Sequence, residues 1–165
     1  MIAELFAILF LLLCVYAAAR DIETLTISNG LNAIIAFLFV PAVIISAPGW
    51  DVAGAHLLAG VIAFVVSVLL FTFGVFGGGD AKMIPGVMLW LGPEAAMPFV
   101  TAMAVVGGLL AATVIVARKL VPADAAPGFA RGTMQHGAGV PYGVAIAGGA
   151  FYAIPFSPLL SGLGA

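Results

Sequence analysis

Asp80 follows three glycines in the stretch Phe76-Gly77-Gly78-Gly79-Asp80-Ala81-Lys82, between a long uncharged run and a short one. A charge held near lipid costs on the order of 2.5–3.5 kcal/mol or more, so an acid in such a place is a functional hypothesis by default. The chemistry open to it is that of a carboxylate pair. Two carboxyls within hydrogen-bonding reach cannot both ionise readily, and they hold one proton between them. Such a pair can deprotonate a water for attack on a peptide carbonyl and protonate the leaving nitrogen, the two acts that peptide hydrolysis needs. Gly77 and Gly79 would let backbone approach a substrate strand without side chains in the way, and so shape its channel. The candidate partner is Asp21, which closes the first apolar run 59 positions earlier. Glu23 lies two residues further from that run, and Asp124 lies in a polar connection.

The elements that position these acids are dictated by composition. The 165 residues are 64% hydrophobic and 7% charged, with a mean hydropathy of +1.29. A soluble domain must cover itself largely with polar groups, and this chain lacks them. It reads as an all-α, polytopic membrane protein forming a single domain over 1–165, with the lipid bilayer as its first partner. Ala17-Ala18-Ala19 resembles a signal-peptide cleavage site, but Glu4 stands where such a peptide wants positive charge. With five basic residues in all, there is no basic patch to hold nucleic acid. The lone cysteine, Cys14, offers neither a disulfide nor a paired-cysteine metal site, so no metal or cofactor is expected, and Cys14 is read as core packing.

The uncharged runs predict six transmembrane helices, over about 2–19, 28–47, 53–75, 83–93, 95–117 and 137–165. Ser28 or Asn29 caps the second, and Pro48-Gly49-Trp50-Asp51 is read as a turn with an interfacial tryptophan. Alternation then puts Arg20, Lys82, Arg118, Lys119 and Arg131 on one side and Glu4, Asp51 and Glu94 on the other. By the positive-inside rule the basic side is cytoplasmic and both termini lie outside. The fourth segment covers under about 20 Å of a hydrocarbon core about 30 Å thick. The glycine turn between helices 3 and 4 is therefore expected to sink below the cytoplasmic interface, and irregular backbone at that depth must line protein or a wet cavity.

Three stretches resemble one family. Gly77-Gly78-Gly79-Asp80 matches the GxGD signature of intramembrane aspartic proteases, and Ala81-Lys82-Met83 continues it as in prepilin peptidases. Asp21 with Ile27-Ser28-Asn29 resembles the family's first catalytic aspartate and its downstream Ile-x-Asn. Pro141-Tyr142-Gly143 resembles the element that opens its last helix. The nearest resemblance is to the short prepilin peptidases of tight-adherence (Flp pilus) systems. It implies a hydrolase of the bacterial inner membrane, with Asp21 and Asp80 catalytic, that removes the leader from a type IV prepilin at the cytoplasmic face. The implied substrate has a basic leader, a glycine before the cut and an apolar helix in the bilayer. Lys82, Pro141, Tyr142 and Gly143 are supporting candidates, and Glu23 a candidate for reading the leader's charge. The paired-cysteine region of the longer enzymes is absent, so zinc is not expected, and whether the product is methylated, as the longer enzymes do, stays open.

Outside that resemblance, an alternative remains: a small transporter or channel subunit in which Asp21 and Asp80 bind a cation or relay protons beside a broken helix. Preflagellin peptidase is a further alternative within the same chemistry. A homo-oligomer stays open. Asp21 beside Arg20 also reads as an interfacial ion pair, and Lys82 as a side chain snorkelling to the interface. His56 and Asn32 are read as helix-packing groups and His136 as solvated. Gly107, Gly108, Ala111, Ala112, Gly148 and Gly149 are read as close helix contacts, and 118–136 as a mobile connection.

Overall fold

Seven helices follow in chain order in the computed structural model, which describes residues 2–122, 124–135 and 137–161. They are α1 (Ile2–Thr24), α2 (Asn29–Ser46), α3 (Trp50–Thr72), α4 (Gly78–Leu91), α5 (Ala96–Leu120), α6 (Arg131–Met134) and α7 (Gly143–Ala153). Single 3₁₀ turns occupy Gly128–Ala130 and Ile154–Phe156, and there is no strand among the described residues. The protein is all-α, and α1, α2, α3 and α5 are each long and apolar enough to cross a membrane.

The two remaining apolar helices invert the usual relation between length and burial. At 1.5 Å per residue, α4 rises about 21 Å and α7 about 16 Å, well short of a hydrocarbon core of about 30 Å. Eight of the fourteen residues of α4 and seven of the eleven of α7 are buried, against four of twenty-three in α3 and four of twenty-five in α5. Helix ends leave backbone groups unpaired, and lipid offers them nothing. The short helices are therefore enclosed: α4 packs on α2 and α3, α7 on α1 and α5, and the two touch each other. Trp90 of α4 centres the core, stacked on Phe10 at 4.8 Å and edge-on to Phe39 at 5.9 Å, its indole N–H donating to Ile35 O at 2.9 Å. The end of α4 is satisfied from outside itself, by His56 Nδ1 against Leu89 O (2.8 Å) and by Ser157 Oγ donating to Trp90 O (3.0 Å). His56 is thus the packing group expected, and Cys14 lies wholly in the core.

Several boundaries differ from the sequence expectation. Helix α1 does not stop at Ala19 but runs through Arg20-Asp21-Ile22-Glu23 to Thr24, since charge at a helix end is no bar to helical backbone. Trp50 and Asp51 open α3 rather than form a turn; the chain reverses at Ala47 and Gly49, both at positive φ (45° and 97°). The glycine run is the first turn of α4, with Gly77 as its cap residue and Asp80 inside that turn. The helix expected over 137–165 is α7, which begins only at Gly143. Gly107 and Gly149 do make close helix contacts, whereas a Cβ on Gly108 would meet nothing within 4 Å.

Candidate functional site

The C-terminal end of α1 and the N-terminal ends of α4 and α7 meet around one cavity of about 440 Å³. Asp21 and Asp80 both line it, with Leu25, the 74–77 turn, Gly139, Val140 and Tyr142. The two acids are thus brought together across the bundle.

Asp21 is 5% exposed, and its Oδ2 accepts the backbone N–H of Gly143 at 2.7 Å. That N–H belongs to the first turn of α7, where helix donors lack intrahelical acceptors and favour negative charge. A Cβ on Gly143 would stand 3.0 Å from Asp21 Oδ2 and 3.1 Å from Ile27 Cδ1, so only glycine leaves the carboxylate its seat. Just beyond Asp21, Leu25 ends α1 in the left-handed region (φ 51°), unusual for a branched side chain, and lines the cavity. Arg20 pairs with Glu23 at 2.8 Å. Asp21 is therefore not the ion-pair partner of its neighbour, contrary to the interfacial reading.

Asp80 lies in the first turn of α4, outside the four long helices and ahead of the apolar stretch that starts at Met83. Burial, and after it the charge of Asp21, push its carboxyl up to about 6, against a Gly77 backbone hydrogen bond that lowers it. The folded state thus holds this proton more tightly than the unfolded chain. Below about pH 4 both states carry it. Between about pH 4 and 6 the unfolded chain releases it first, and stability falls; above that the penalty is constant. Asp80→Asn removes the penalty, so its thermal unfolding midpoint in detergent is expected above wild type near pH 8, the two converging near pH 4. Equal midpoints near pH 8 would show that ionised Asp80 carries no such cost.

The start of α4 is fixed against α2. Ser28 caps α2, its Oγ accepting Leu31 N–H at 3.2 Å. Asn32 Nδ2 donates to Gly79 O at 3.1 Å, the cross-helix bond expected of it, and Lys82 Nζ donates to Asn29 Oδ1 at 2.7 Å. Gly79 lies against the Ile27 backbone, where a Cβ would come within 3.1 Å of Ile27 N. Gly79 thus packs on the connection between α1 and α2 and does not line the cavity, whereas Gly77 does. Lys82 neither meets a carboxylate nor simply snorkels; it joins α4 to α2. Glu23 is exposed and outside the cavity, held by Arg20.

The far wall comes from Gly139, Val140 and Tyr142. Arg118 donates to Thr133 O from Nε (2.9 Å) and Nη2 (2.6 Å), and from Nη2 to Gly139 O (2.7 Å); Thr133 Oγ1 donates to Ile22 O at 2.9 Å. Thr133 and Gly139 are thus tied to α1 and α5; His136 lies outside the described residues. Pro141 is fully buried behind the wall. Tyr142 faces the cavity, 5.7 Å from the ring of Phe76, and fits over Gly107, where a Cβ would stand 2.7 Å from its hydroxyl. The sequence reading missed Phe76, Leu25, Val140 and Arg118. Phe76 alone carried a signal, as the bulky residue directly before the glycines.

A protein-family model described as the type IV leader peptidase family matches residues 8–112. The matched span holds Asp21, Asp80 and all of α2, α3 and α4, while Gly143 lies beyond it. No curated protein and no solved structure matches the chain.

Proposed function

The chain belongs to the type IV leader peptidase family, and as such is a prepilin peptidase, a hydrolase; from that premise we propose that it is an aspartic endopeptidase working through Asp21 and Asp80. The observation that carries this reading is their shared cavity, with Asp21 seated on the Gly143 N–H. One carboxylate, ionised, takes a proton from a water whose oxygen attacks the scissile carbonyl. The other, protonated, donates to the carbonyl oxygen as the tetrahedral adduct forms. The proton taken from water then passes to the leaving nitrogen as the C–N bond breaks, and a hydroxyl of the adduct gives its proton back as the carboxyl product forms, so the pair again holds one shared proton. Asp80, with its raised affinity for a proton, suits the protonated role.

The same reading gives six crossings, the short ones being 83–93, which begins beyond Asp80, and the 143–156 segment. Arg20, Lys82 and Arg118 stand at the cavity end, which the positive-inside rule makes cytoplasmic, in a bacterial inner membrane with both termini outside. The substrate is a Flp-type prepilin with its basic leader on that side. Lys82, Pro141 and Tyr142 support the cavity rather than touch the reacting bond. The test is co-expression with a Flp-type prepilin, with mass measurement of the product. Loss of the leader at the glycine junction is expected; a precursor left intact by the membrane-inserted wild type, across several prepilins, would sink the reading and return weight to cation or proton binding.

A further inference from the structure

We propose that the groove between α3 and α5 seats the apolar helix of the precursor and delivers its cleavage junction to the carboxylate cavity, a proposal that rests on the peptidase reading above. The groove encloses about 390 Å³. Ile84 and Met88 of the buried α4 form part of its floor. Its α3 wall carries Ala59, Ala63 and Ser67, spaced by four and so on one helix face. Small residues so spaced let a second helix approach closely. The rims are half exposed, Val66 at 47% and Val100 at 48%, so the groove opens sideways, where a bilayer would be.

Continuity with the carboxylates decides what lies there. Phe76 lines the groove and also the cavity of Asp21 and Asp80. The groove therefore ends at the mouth of the reacting site. From Ala59 to Leu70 it follows α3 for about 16 Å, some three helical turns. A precursor whose helix lies along it presents the first residues of that helix at Phe76, with the leader on the side where the basic residues stand. A lipid acyl chain could fill the volume but has no junction to present, which makes it the competing occupant.

The experiment uses purified full-length enzyme in lipid nanodiscs and two substrates. One is an intact precursor with leader, glycine junction and apolar helix; the other is a soluble peptide with leader and junction only. Ala63→Trp fills the groove away from the carboxylates. It is expected to raise KM for the intact precursor roughly tenfold or more and to leave kcat/KM for the peptide within about twofold. In a variant that keeps measurable activity, equal effects on both substrates, or none on the precursor, would overturn the proposal while the peptidase reading stands. Wild type that cuts neither substrate sinks the peptidase reading itself, and the groove proposal with it. If Ala63→Trp loses both activities, Val100→Trp at the exposed rim decides by the same comparison. A photo-crosslinker at position 66 is expected to capture the precursor; capture of lipid alone, with precursor present, overturns the proposal.

Discussion

Asp80→Asn is expected to lower the rate of leader removal by roughly 10³-fold or more, and Asp21→Asn to do the same. Asparagine keeps the shape of the side chain and can neither take nor give the proton. Each substitution leaves one carboxyl in a cavity built for two. The effects should not add, because either change abolishes the shared proton, and the double variant is expected to match the singles. Neither change should reduce the amount of protein in the membrane, since the amide can still occupy the same volume, and at position 21 its oxygen can still accept from Gly143. Purified variants assayed by mass for leader release settle the point. A variant within tenfold of wild type would remove that residue from the chemistry.

Gly143→Ala carries the second largest expected effect, about 10²-fold in kcat. The added methyl has no free place: Asp21 Oδ2 stands at 3.0 Å, Asp21 Cβ at 3.1 Å and Ile27 Cδ1 at 3.1 Å. Something must give by a few tenths of an ångström, and the carboxylate is the group that moves, because Ile27 is wedged against Gly79. Small displacements of a reacting group carry losses of this order. Alanine is otherwise the better helix former, so backbone propensity argues for stability rather than against it. Gly108→Ala is the control, with nothing within 4 Å of the new methyl, and is expected to be silent. Wild-type kinetics in Gly143→Ala would show that the seat of Asp21 is not a constraint on the reaction.

What could be read from the sequence was set by the range over which each signal acts. The long helices were legible because twenty apolar residues can do little else. Asp21 and Asp80 were legible because charge is rare here, and topology alone puts them at one end. The glycines announced a break, but not that they would become the first turn of α4; that depends on Ile27, some fifty positions away, leaving room for no side chain at Gly79. Lys82 was read against lipid and carboxylates, its only local options, whereas its partner Asn29 comes from another helix. Arg118 looked like one of several interfacial cations. Its bonds to two backbone carbonyls of the 133–139 segment follow from tertiary packing, which no spacing rule encodes.

The bond from Gly143 N–H to Asp21 spans 122 residues, and this has a consequence for biogenesis. During synthesis α1 enters the membrane early, with Asp21 at its end and no donor to seat it. Helices α2, α3 and α4 can follow and bring Asp80 to the same level. The cavity still lacks its far wall, and Asp21 its partner, until α7 has been made and docked between α1 and α5. On the proposed Asp21–Asp80 mechanism, the order of translation would hold a nascent peptidase inert, and the carboxylate pair would become competent only as the bundle closes.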